Sequence, residues 1–79
     1  IEIIHAERGD SLFVYRRSNG DQEILVAINP AVHPVELVLP FTLSTPPQTL
    51  YGLDGAVCAE GEHWVLRLPG VSGGAYLLG

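Results

Sequence analysis

Apolar residues along this chain fall in short runs separated by Gly, Pro, Asn and Asp, a spacing that suits strands and leaves no room for helices of ordinary length. The predicted class is all-β. Ile1 to His5 is a first β-rich run, ended by Arg8-Gly9-Asp10. Ser11 to Arg17 is a second, with Phe13, Tyr15 and Arg17 on one side and Leu12, Val14 and Arg16 on the other. Ser18-Asn19-Gly20-Asp21 predicts a tight hairpin, because Asn and Gly both tolerate positive φ. The returning strand, Glu23 to Asn29, has no polar residue between Ile24 and Ile28, so neither of its faces is built for water. Both faces are expected to be covered, with Leu25 and Ala27 turned toward a neighbouring domain.

Asn29-Pro30 breaks that strand, and Val35 to Leu39 resumes after the Ala31-Val32-His33-Pro34 turn, with Val35, Leu37 and Leu39 sharing a face. Pro40 ends the run. Phe41 to Gln48 contains Pro46-Pro47, whose missing amide hydrogens confine the stretch to an edge or a loop. Thr49 to Tyr51 and Ala56 to Cys58 are brief strands on either side of Gly52-Leu53-Asp54-Gly55. His63 to Leu68 alternates clearly, with Trp64, Leu66 and Leu68 opposite His63, Val65 and Arg67. Pro69 to Gly74 reads as a loop, and Ala75 to Leu78 as a closing strand. The sum is a small antiparallel β-sandwich of seven or eight short strands, of Greek-key type, forming one domain over residues 1–79.

Composition sharpens this picture at two points. A chain of 79 residues leaves about 40% of its unfolded surface wet after folding, and small domains commonly compensate with disulfides or zinc. Cys58 is the only cysteine and no Cys/His cluster has zinc spacing, so packing must hold the fold. The second point is an apolar excess: 47% hydrophobic beside 16% charged residues, against about 25% charged in ordinary soluble domains. That is too apolar for a free-standing module of this length. The chain begins at Ile1 with neither an initiator Met nor a leader and is expected to be a piece of a longer polypeptide. Four Arg, no Lys and a net charge of −5 argue against a nucleic-acid partner. The longest apolar run, Ile24 to Ile28, is far short of the roughly 20 residues of a spanning helix, so no membrane partner is expected.

Candidate chemistry is sparse. His5, His33 and His63 lie in three separate segments, and nothing places Ser or Cys beside one of them with a carboxylate. Gly70, Ser72 and Gly74 have the spacing of Gly-x-Ser-x-Gly, but that motif needs a helix after it, which Tyr76-Leu77-Leu78-Gly79 cannot supply. Glu60 and Glu62 read as a solvated turn, His33 as a turn residue, and Cys58 as a small buried hydrophobe. No catalytic residue, metal ligand or cofactor site is expected. Among the aromatic residues, Trp64 shares its face with Leu66 and Leu68 and reads as core. Tyr51, next to a Gly-rich turn, is the better candidate for an exposed ring. Together Tyr51 and Trp64 are the candidate carbohydrate-stacking residues.

Three segments in order resemble the C-terminal β-sandwich domain that follows the catalytic barrel in the α-amylase family of glycoside hydrolases. Phe13-Val14-Tyr15-Arg16-Arg17, through Asn19-Gly20-Asp21, to Ile24-Leu25-Val26-Ala27-Ile28-Asn29 resembles that family's hairpin, an aromatic-x-aromatic-x-Arg strand turning into an apolar strand that ends in Asn. His33-Pro34-Val35-Glu36-Leu37-Val38-Leu39-Pro40 is similar to the strand that follows it. Leu50-Tyr51-Gly52, Trp64-Val65-Leu66-Arg67-Leu68-Pro69 and Ser72-Gly73-Gly74-Ala75-Tyr76-Leu77-Leu78 are similar to the closing pair, with Gly70 where a second Pro is common. The resemblance implies an accessory domain of an enzyme acting on α-glucans or related α-glucosides, partnered by a catalytic (β/α)8 barrel in the same polypeptide. The family's catalytic carboxylates lie on that barrel, so none is carried over. The first functional expectation is a domain that packs on the barrel and stabilises it. The alternatives are a module that holds α-glucan chains on its aromatic rings and an adaptor that binds a peptide along an edge strand.

Overall fold

A computed structural model describes residues 1–6 and 11–78. The expected Arg8-Gly9-Asp10 turn lies outside the described residues. Eight strands form: β1 (Glu2–Ala6), β2 (Phe13–Asn19), β3 (Gln22–Asn29), β4 (Val35–Val38), β5 (Gln48–Gly52), β6 (Val57–Glu60), β7 (His63–Leu68) and β8 (Ser72–Leu77). They make two antiparallel sheets, one in the order β1-β2-β3-β8-β5 and the other β4-β7-β6. The chain crosses between sheets from β3 to β4, β4 to β5, β5 to β6 and β7 to β8, as a Greek-key sandwich requires.

The β2–β3 hairpin is tight, but its loop is Gly20-Asp21, since Asn19 pairs with Gln22. Gly20 carries the positive φ, 63°, at the first central position, where a type II′ turn demands glycine. The pairing then continues without slippage to Phe13 opposite Ile28. In β8 the strand begins at Ser72, earlier than the expected Ala75, and runs straight through Gly73-Gly74. Close backbone approach explains the difference. A Cβ on Gly73 would lie 2.8 Å from the Ala27 carbonyl oxygen of β3, and one on Gly52 would overlap the Gly73 carbonyl from the other side. These glycines look like loop residues in sequence and act as close-packed strand residues in the fold.

The core lies between the sheets. Val14, Leu25, Ala27 and Tyr76 come from the five-stranded sheet, while Val57, Leu66 and Leu68 face them from the three-stranded one. Leu12, Leu39 and Ala56 close the ends, with Val35, Leu37, Phe41 and Trp64 packed partly buried around them. Leu25 and Ala27 are both fully enclosed by the domain's own side chains. The sequence expectation that they face a neighbour is therefore corrected. In β3 both parities are apolar, and the pairing of Leu25 with Tyr76 and of Ala27 with Val14 puts the odd-numbered residues inside.

Gly52 combines a positive φ of 92° with backbone contact on its Cβ side, whereas Gly20 has its positive φ in open space. Gly52→Ala is expected to cost about 3 kcal/mol and Gly20→Ala about 1 kcal/mol. Urea denaturation of the two variants checks the order; equal losses would contradict the packing account of Gly52.

Candidate interaction surface

The face of the five-stranded sheet turned away from the core is built from the alternate set of side chains. Cross-strand pairing aligns Ile3, Tyr15, Val26, Ala75 and Tyr51 in one row across all five strands. A second row holds Phe13 and Ile28 opposite Gly73, and a third holds Arg17, Ile24 and Leu77. Phe13 and Tyr15 place their ring centroids 5.5 Å apart on this face. Tyr51 is 76% exposed, Ile3 54% and Ile28 47%. Arg17 is the charged residue in these rows, which is unusual for a sheet surface meant for water.

The outer face of the three-stranded sheet is different. There Arg67 on β7 donates from Nε to Glu36 on β4 at 2.7 Å and pairs through Nη2 with Glu60 on β6. The two acidic partners hold the Arg67 pKa above its ordinary value. Glu36 lies directly opposite Arg67, whereas Glu60 lies opposite His63, so the ion pairs span the row of Val38, Val65 and Cys58 between them. Glu60 and Glu62 are both exposed, as expected, but Glu60 ends β6 and pairs with Arg67, which leaves Gly61-Glu62 as the turn. Cys58, expected to be buried, is exposed on β6, where its thiol donates to the Gly55 carbonyl at 3.0 Å. Its pairing with Val65 places it on this outer parity, which a neighbouring Val57 in sequence could not reveal.

One end of the apolar face is organised by a buried amide. Asn29 is fully enclosed, and its Nδ2 donates to the carbonyls of His33 at 3.1 Å and Pro69 at 2.9 Å, while Oδ1 accepts from the Ala31 amide at 3.2 Å. It ties the end of β3 to the loops before β4 and after β7. The Val71 amide donates to the Ala31 carbonyl at 2.7 Å, and Val71 itself has φ 50°, a strained conformation for a β-branched residue. Ser72 donates to the Pro69 carbonyl at 2.7 Å and opens a strand, so it has no nucleophile-elbow context. Tyr76 is buried in the core and its hydroxyl donates to the Leu53 carbonyl at 3.1 Å. Burial pushes its phenol above the ordinary 10.0, and the Asp54 charge adds to the shift.

The candidate residues separate accordingly. Tyr51 is an exposed ring on the apolar face, whereas Trp64 is half-buried against the core on the other sheet, so the two do not form one stacking platform. Among the described residues there is no group of three metal-binding side chains. The sequence reading missed Asn29 as a hub and missed Ile28, Leu53 and Val71 as exposed apolar residues. For Asn29 the signal was present, as a polar residue closing an apolar strand; for Val71 there was none.

The arrangement defines an all-β sandwich with one sheet surface crossed by ion pairs and one that is predominantly apolar. The chain belongs to the family described as the C-terminal domain of maltogenic amylase, whose match covers residues 1–72. That match stops where β8 begins, so the strand between β3 and β5 lies almost wholly beyond it. No curated protein and no solved structure matches the chain.

Asn29→Asp replaces the donor nitrogen with an oxygen facing two carbonyls and is expected to cost about 3 kcal/mol at neutral pH, read by urea denaturation. Loss of under about 1 kcal/mol would deny Asn29 its tethering role. Because the folded state holds the Tyr76 proton to higher pH than the unfolded state does, its stabilising contribution is intact below pH 10.0 and lost as pH rises through the folded value. Tyr76→Phe is expected to flatten the alkaline fall in stability; an unchanged alkaline profile would contradict it.

Proposed function

We propose that this domain is a non-catalytic accessory unit of an α-amylase-type glycoside hydrolase that packs against and stabilises the catalytic (β/α)8 barrel of the same polypeptide. The observation that carries this reading is the apolar outer face of the five-stranded sheet, which has Arg17 as its charged residue, set beside the outer face of the three-stranded sheet, where ion pairs join Arg67 to Glu36 and Glu60. Exposed apolar surface of this extent is unfavourable in water at about 25 cal/mol per Å², and covering it with a second domain recovers that free energy for the whole enzyme. Membership of a C-terminal domain family supports a neighbour in the same chain as the cover. The docking residues are Ile3, Tyr15, Val26, Ile28 and Tyr51, in place of the fully enclosed Leu25 and Ala27.

A second reading, retention of α-glucan chains, is favoured by the single observation that the Tyr51 ring is 76% exposed. Stacking of a sugar ring needs such a face. Trp64 gives no second platform beside it. Affinity electrophoresis in glycogen separates the readings: the docking account expects no Tyr51-dependent retardation.

Deleting residues 1–79 from the enzyme is expected to lower its thermal midpoint and its soluble yield. In the full-length enzyme, Val26→Asp places an unpaired carboxylate in the covered face and is expected to cost about 2 kcal/mol or more. Unchanged stability and solubility after the deletion would overturn the reading.

A further inference from the structure

The apolar face is not uniform. Its end nearest the Asn29 hub holds a shallow depression across β8, with Gly73 and Gly74 as floor. Ile28 and Val71 stand on one side and Tyr51 and Leu53 on the other. At Gly73 the floor is bare backbone because a side chain would run into the Ala27 carbonyl, whereas a side chain on Gly74 would point into the core against the Tyr76 hydroxyl. The walls are well exposed: Val71 is 69% and Leu53 45% accessible. No charged residue lines the depression, although the chain carries a net charge of −5.

Two further features set this depression apart from the rest of the sheet. Val71 projects an apolar side chain into water from a strained backbone, and the strain is fixed by the hydrogen bond to Ala31 and by close packing of Gly70 on the Val32 carbonyl. Asn or Gly would hold this conformation at lower cost, so the valine is unfavourable for the domain alone. The polar groups lining the depression are also engaged elsewhere. The Asn29 amide is fully committed to His33, Pro69 and Ala31, and the Ser72 hydroxyl donates to Pro69. A sugar chain would find an aromatic ring there but few free partners for its hydroxyls.

We infer that the glycine-floored depression between Ile28, Val71, Tyr51 and Leu53 is the anchoring point of the domain contact, a socket that receives a large uncharged apolar side chain projecting from another domain of the same polypeptide. The inference rests on the proposed docking role and locates its centre at the β5–β8 end of the face. An uncharged socket fits an uncharged knob, since a buried lone charge would be left without a counter-ion. Val71 and Leu53 supply the walls, and the glycine floor lets the partner's side chain approach the β8 backbone.

The test uses the full-length enzyme. A photo-reactive benzoylphenylalanine is introduced as Tyr51→benzoylphenylalanine, with Tyr15→benzoylphenylalanine on the same face and Val38→benzoylphenylalanine on the opposite sheet as companions. Peptide mapping after irradiation is expected to show an intramolecular cross-link from position 51 to a peptide outside residues 1–79, and none from position 38. Cross-links from position 15 but not from 51 would overturn the socket and leave the docking role standing; none from either would overturn both. Cross-links between two copies of the chain, or loss of the position-51 product on adding a soluble linear α-glucan, would show a different occupant and overturn the socket. A second variant, Val71→Asn, relieves the backbone strain while removing the apolar wall. It is expected to lower the thermal midpoint of the full-length enzyme. An unchanged or raised midpoint would mean that Val71 acts only within its own turn.

Discussion

A β-strand sends alternate side chains to opposite sides of its sheet, and β3 carries apolar groups at every position from Ile24 to Ile28. One set, Leu25 and Ala27, fills the space between the two sheets. The other set, Ile24, Val26 and Ile28, is then forced outward by geometry, because no rotation of the strand can bury both. The neighbouring strands repeat the arrangement: β2 turns Phe13 and Tyr15 outward, and β8 turns Ala75 and Leu77. A sheet with apolar residues on both sides has an energetic requirement that a two-layer domain meets on one side only. In the proposed docking, the catalytic barrel supplies the third layer on the other side.

The rest of the molecule is consistent with that requirement. The three-stranded sheet, which closes the core from the other side, carries the Glu36, Arg67 and Glu60 ion pairs on its outer surface beside the row of Val38, Val65 and Cys58. Local devices keep the apolar face flat and fixed. Gly52 and Gly73 let β5, β8 and β3 approach more closely than side chains would permit, and Asn29 clamps the loops at one end with three hydrogen bonds. Stability and presentation are therefore linked: the features that hold the domain together also shape the surface it offers.

Much of this was legible in the sequence. Strand-length apolar runs, the hairpin at Gly20 and the alternation of His63 to Leu68 specified a sandwich, and the continuous apolar run in β3 announced apolar side chains on both sides of its sheet. Which set fills the core could not be read, since Leu25 and Ala27 differ from Val26 and Ile28 only in parity, and β2 is apolar at both parities as well. Gly73-Gly74 looked like a loop because the reason for glycine there is the backbone of a strand far away in sequence. Cys58 looked buried because its exposure depends on its pairing with Val65. The conformation at Val71 goes with its hydrogen bond to Ala31 and the packing of Gly70 on Val32, which no local pattern announces. The family resemblance was legible because it rests on ordered segments that span most of the chain, and the match over residues 1–72 agrees with it.

The most direct test of the account is hydroxyl-radical footprinting of the full-length enzyme, read residue by residue by mass spectrometry. By exposure in the isolated domain, Tyr51, Ile28, Val38 and Val32 should all be readily oxidised. If one sheet surface is covered by the rest of the enzyme, Tyr51 and Ile28 will be protected while Val38 is labelled. Free oxidation of Tyr51 and Ile28, at rates matching the opposite sheet, would contradict the account at its centre.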